Sequence, residues 1–127
     1  MVFVKTTNEL SVRVEPHYLE EKSNPAERRH IFSYYITIEN HSNEPLRLIR
    51  RHWTIQESGL FPRSYEGEGN VGQQPIIPAG EEYRYKCYCV LSSYSGFMDG
   101  YYEIRSINGD DFNVPIPRFS LMSSLLN

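Results

Sequence analysis

Apolar and polar side chains alternate through most of this chain, and no window of useful length repeats at the 3.6-residue period of a helix. Successive residues of a strand point to opposite faces, so alternation marks strands that bury one face only. In HIFSYYITIEN, Phe32, Tyr34, Ile36 and Ile38 share one face, against Ser33, Thr37 and Glu39. LSVRV groups Leu10, Val12 and Val14, and EYRYKCYCVLS groups Tyr83, Tyr85, Cys87, Cys89 and Leu91. The phase changes in RLIRRHWTI, where Leu46 and Leu48 give way to Ile49, Trp53 and Ile55; this predicts a β-bulge near Arg50. His41–Pro45 reads as a turn and QESGLFPRS as a loop, and Asn108-Gly109 signals a type I′ hairpin between YYEIRSI and DFNVPI.

About seven or eight short strands with regularly spaced turns predict an all-β fold, an antiparallel two-sheet sandwich of the fibronectin type III or immunoglobulin-like kind. The Cys…Trp…Cys spacing of antibody domains is absent, which favours the fibronectin variant. Pro115 and Pro117 suit an edge strand, where a missing N–H costs nothing. The length of 127 residues predicts a single domain over 1–127, with a core from about residue 10 to 121. Ten tyrosines fit pleated, half-buried surfaces.

A net charge of −3 supplies no broad basic field, which argues against nucleic acid or an anionic membrane as partner. MVFVKTTNEL has neither a basic start nor a long apolar run, and no stretch has the roughly 20 apolar residues of a spanning helix. Cys87 and Cys89, two apart on one strand face, lie too far apart for an unstrained disulfide. Free thiols without an export signal lead us to expect a cytoplasmic protein.

GEGNVG, Gly67 to Gly72, has the GxGxxG spacing of dinucleotide-binding loops. That fingerprint needs a helix next, because the helix N-terminus holds the pyrophosphate. QQPIIPAGEE follows instead, and Pro75 and Pro78 forbid the helix. No Lys-Ser/Thr pair follows to make a Walker loop. Two readings remain besides a partner-contacting loop. Gly67, Gly69 and Gly72 provide positive φ for a tight crossing, or Gly67, Gly69, Asn70, Val71 and Gly72 form a backbone nest for a small phosphate anion. The nest would draw on Arg63 and on the basic cluster RLIRRHW. Alternation sends Arg51 and Trp53 to one face and exposes Arg50 with His52 on the other; Arg51 is then expected at the sheet margin beside a carboxylate. Glu66 and Glu68 would repel a phosphate.

No catalytic or metal-ligating set is legible. His17, His30, His41 and His52 lack metal-ligand spacing, and Cys87 and Cys89 read as buried small hydrophobes. Asp110 and Asp111 serve a turn, and Glu66 and Glu68 read as solvated charges. We therefore expect no enzyme and no cofactor. The tail FSLMSSLLN, with Phe119, Leu121, Met122, Leu125 and Leu126, either folds back on the sheet or contacts a partner, so monomer and homodimer both stay open.

FSYYITIEN, RHW, GEGNVGQQP, PAGEEYRY, GFMDGYY and FNVPIPRFSL stand in an order and at spacings that resemble the ApaG family, from about Val12 to Leu121. The resemblance implies a fibronectin type III-like sandwich and a protein-interaction role. It also implies an association with cobalt resistance and magnesium efflux, which keeps direct divalent-metal binding as a further alternative, and a site for pyrophosphate or a dinucleoside polyphosphate at the glycines matching Gly67, Gly69 and Gly72. The chain departs from the family at Cys87 and Tyr88, which replace Ser and Gly; a ring at Tyr88 changes the local surface.

Overall fold

The computed structural model describes residues 1–57, 59–68 and 73–123, without the side chains of 65–68. Among these residues nine strands follow in order: β1 (Phe3–Thr7), β2 (Leu10–Tyr18), β3 (His30–Asn40), β4 (Leu46–Glu57), β5 (Arg63–Glu68), β6 (Ile76–Ile77), β7 (Glu82–Leu91), β8 (Ser95–Ser106) and β9 (Asp111–Met122). Short 3₁₀ turns at Glu20–Lys22 and Pro25–Glu27 bridge β2 and β3. Sheet one runs β1-β2-β3-β7 and sheet two runs β5-β4-β8-β9, with β6 also on β4. All pairings between strands are antiparallel. The architecture is the expected two-sheet sandwich.

Alternation places the core as read. Leu10, Val12, Val14, Phe32, Ile36, Ile38, Leu91 and Tyr85 from sheet one meet Trp53, Ile55, Tyr102, Ile104, Val114 and Phe119 from sheet two. Trp53 lies at the centre, within 6.3 Å of the Tyr34, Tyr102 and Phe119 rings by centroid. Burying each such ring contributes roughly 1.5–3 kcal/mol. The bulge expected near Arg50 lies there, as a register shift between Leu48 and Arg50 that returns Trp53 to the core. Pro117 adjoins a second shift, between Met98 and Gly100, and β9 is indeed an edge strand.

Four local expectations need correction. The type I′ turn is at Asn8 (φ 48°) and Glu9 (φ 65°), joining β1 to β2, a strand that short polar stretches of sequence conceal. At the other hairpin only Gly109 has positive φ (86°), and its N–H donates to the Ser106 carbonyl. That is a type I turn closed by one left-handed glycine, because the connection is longer than two residues. β4 runs through Gln56 and Glu57 into the segment read as loop, since Glu57 is anchored at its end. β9 extends to Met122, burying Phe119 and Leu121, so half the supposed tail is ladder. Leu125 and Leu126 lie outside the described residues.

Candidate functional site

The expected basic surface does not assemble. Arg63 pairs in register with Ile55 and so has the core-facing side of sheet two, while Arg50 and His52 project from the outer side. Each also meets a carboxylate. Arg50 Nε lies 3.8 Å and His52 Nε2 2.9 Å from Glu103 Oε2, and His52 stacks on Tyr101 at 4.3 Å. Arg63 Nη2 donates to Glu57 Oε2 at 2.9 Å. Gly67 belongs to strand β5, opposite Arg51, and not to a loop; Gly69, Asn70, Val71 and Gly72 lie outside the described residues.

Among the described side chains Glu57 is the most connected carboxylate. Its Oε1 accepts from Ser92 N (2.7 Å), Ser92 Oγ (3.2 Å), Ser93 N (3.1 Å) and Ser93 Oγ (2.9 Å). Burial pushes its pKa up, but these hydrogen bonds and the Arg63 charge outweigh burial and hold it below the ordinary value. The group ties the end of β4 to the β7–β8 turn. Nothing here is aimed at a ligand.

On the core-facing side of β4, Arg51 meets sheet one. Its positive charge pulls down on the Cys87 and Tyr85 pKa values, and no ion pair between described residues gives it the expected carboxylate. Tyr85 and Tyr102 share a buried hydroxyl–hydroxyl hydrogen bond across the sheets. Burial raises the Cys87 pKa against the pull of Arg51, and raises Cys89 to about 12. Both thiols are free and protonated at neutral pH; Cys89 is a small core residue as expected, whereas Cys87 is only half-buried, packed against the core.

The four histidines stay apart. His30 is buried and bonded to the Tyr18 hydroxyl at 3.1 Å, His41 to Ser11 Oγ at 3.1 Å, and His17 is 3.4 Å from Glu15. Among the described residues no three His, Cys, Asp or Glu side chains are placed to hold a metal ion. No helix among them is long and apolar enough to cross a membrane.

The surface that sequence reasoning missed is the outer face of sheet one. Register sets Tyr35 beside Lys86 and Ser33 beside Tyr88. Lys86 Nζ lies 5.2 Å from the centroid of each ring, Tyr35 and Tyr88, and Lys22 Nζ lies 5.5 Å from Tyr88. The neighbouring Tyr88 and Tyr35 side chains raise the Lys86 pKa, so the ammonium is retained. Tyr35 is 43% exposed, Tyr88 54% and Val90 43%. Beside them a groove of about 540 Å³ runs between Val2, Arg13, Tyr35, Arg84 and Lys86. The signal was available: these are the positions that alternate with the core residues. Only the strand register could show that they adjoin.

Comparison with known proteins settles the family. The model of the ApaG domain matches residues 20–106. The chain belongs to the ApaG family. Protein ApaG of Agrobacterium fabrum is 41% identical over 117 residues, covering 92% of this chain and 90% of that one. Protein ApaG of Brucella canis is 38% identical over 120 residues, 94% and 92% of the two chains. Among solved structures, an ApaA protein from Bordetella pertussis superposes with a TM-score of 0.87 at 36% identity, covering 91% of this chain and 94% of that one. The ApaG resemblance read from the ordered motifs is therefore correct, and the fold with it.

Proposed function

We propose that this ApaG-family chain is a non-enzymatic, cytoplasmic binding module that recognises a protein partner through the outer face of sheet one. The row Tyr35, Lys86, Tyr88 carries this reading: exposed rings held around a cation are the side chains that concentrate binding energy at interfaces. Two free thiols, Cys89 buried and Cys87 half-buried, both with pKa values pushed up, fit a reducing compartment and a structural use of cysteine. The cobalt and magnesium association of the family would then act through the partner, with no direct metal binding.

The test is comparative capture. Immobilised wild type, a Tyr35→Ser/Tyr88→Ser variant and a Tyr101→Ser control on the opposite sheet are exposed to extract from the source cell. The expected result is a species retained by wild type and control and at least tenfold depleted on the double variant. Equal retention by all three would refute the assignment. Calorimetric titration with Co²⁺ and Mg²⁺ is expected to give no heat of binding; a stoichiometric isotherm overturns the indirect reading.

One observation favours a second reading, a sensor of pyrophosphate or a dinucleoside polyphosphate. Arg51, without a carboxylate partner among the described residues, stands in register with Gly67 at the start of the glycine stretch. Under that reading pyrophosphate shifts the Gly67 amide saturably, and Arg51→Ala abolishes the shift.

A further inference from the structure

We propose that the free edge of β7 accepts an extended segment of a partner as an added antiparallel strand, with acidic side chains opposite Lys86 and Arg84 and apolar ones opposite Tyr88 and Val90. The proposal rests on the reading that sheet one is the binding side, and it specifies the partner's chemistry.

β7 has ten residues, and among the described residues it pairs with β3 alone. The N–H of Asn40 donates to the Glu81 carbonyl at 2.9 Å, which sets the phase of the ladder. Hydrogen-bonded pairs recur at every second residue, so residues 83, 85, 87, 89 and 91 turn their backbone groups to β3. Glu82, Arg84, Lys86, Tyr88 and Val90 turn theirs away. The Arg63 guanidinium reaching the Val90 carbonyl at 3.5 Å agrees with that phase. A sheet edge of this kind offers a row of donors and acceptors that an incoming strand satisfies.

The other edges are poorer templates. β9 carries Pro115 and Pro117, which supply no donor, and β1 and β5 have only five and six residues. β7 contains no proline.

The side chains along the edge select the occupant. The outward row reads Glu82, Arg84, Lys86, Tyr88, Val90. Glu82 engages Arg84 at 2.9 Å, yet the Arg84 side chain remains 73% exposed. Lys86 is held by rings and by no carboxylate among the described ion pairs. Directly opposed residues in an antiparallel pair interact, and like charges there are destabilising. In the register that pairs Glu82 with Val90, a second copy of β7 would set Lys86 against Lys86. An acidic strand meets that lysine favourably, so the residue that discourages self-pairing selects the partner.

The experiment follows amide shifts of the labelled full chain. The probe is a capped seven-residue peptide with valine at positions one and three, threonine at two, four and six, and glutamate at five and seven. Two controls replace both glutamates by lysine or N-methylate the third residue, removing a ladder donor. The expected result is saturable shifts over Arg84 to Val90, at least tenfold weaker binding of the lysine peptide, and none of the N-methylated one. Lys86→Glu, checked for a folded spectrum, should reverse the charge preference. No saturable shift, equal affinity for both charges, or undiminished binding of the N-methylated peptide would overturn the proposal, as would a β7-mediated dimer in sedimentation. Peptide failure with Tyr35-dependent capture intact refutes the edge alone. Peptide binding with capture indifferent to Tyr35 and Tyr88 refutes the face alone.

Discussion

Replacing Glu57 tests whether one buried carboxylate holds the β7–β8 turn against sheet two. In Glu57→Gln the amide oxygen can keep the four donors of Ser92 and Ser93, but as a neutral acceptor, and the NH₂ then confronts the Arg63 guanidinium. A hydrogen bond to a charged group contributes about 1.5–3 kcal/mol against about 1 for a neutral one. The Arg63 side chain is 47% exposed and rehydrates, so the expected loss is about 2 kcal/mol at pH 7. Glu57→Ala also strands the Ser92 and Ser93 N–H groups and is expected to lose about 3–4 kcal/mol. For a domain of this size about 2 kcal/mol lowers Tm by roughly 6–10 °C. The pH dependence has a definite sign. A carboxyl whose folded pKa is depressed contributes stability that is fully present above the unfolded value of about 4.3, and is lost as pH falls through the folded one. Urea unfolding of wild type and Glu57→Gln between pH 7 and pH 3 should therefore show a gap that is constant down to about pH 5 and narrows below it. A gap under about 0.5 kcal/mol at pH 7, or one unchanged at pH 3, would refute the reasoning.

Tyr85→Phe or Tyr102→Phe alone should cost about 1–2 kcal/mol by leaving a buried hydroxyl without its partner, and the double variant less than the sum of the two; denaturant midpoints for the cycle check this. Gly100→Ala should unfold or strongly destabilise the protein, because a Cβ there would overlap the His52 carbonyl oxygen, while Gly109→Ala, which meets open space, should cost about 1 kcal/mol through its positive φ. Thermal melts separate the two. The thiols should react with a disulfide reagent at pH 8 far more slowly than free cysteine, Cys89 slowest, and at full speed in denaturant.

Much of the fold follows from local rules. A strand with one dry face needs an apolar residue at every second position, so Phe32 to Ile38 and Tyr83 to Leu91 announced their inward faces, and the lost phase after Leu48 announced the bulge. β1 and the Asn8-Glu9 turn were silent because a short edge strand needs few buried residues. The ordered motifs were enough for the family.

The site is a different matter. Sequence alone set which side chains share a face of one strand, because that depends on the two-residue period of the chain. It could not say which strands adjoin, or which edge is left open, because those are pairings between residues far apart in the chain. Arg50, His52 and Arg63 looked like one basic surface until the ladder put Arg63 on the opposite side of the sheet and gave the others to Glu103. Tyr35, Lys86 and Tyr88 looked like unrelated polar-face residues until the β3–β7 register set them side by side. Composition and alternation made the sandwich; register made the surface.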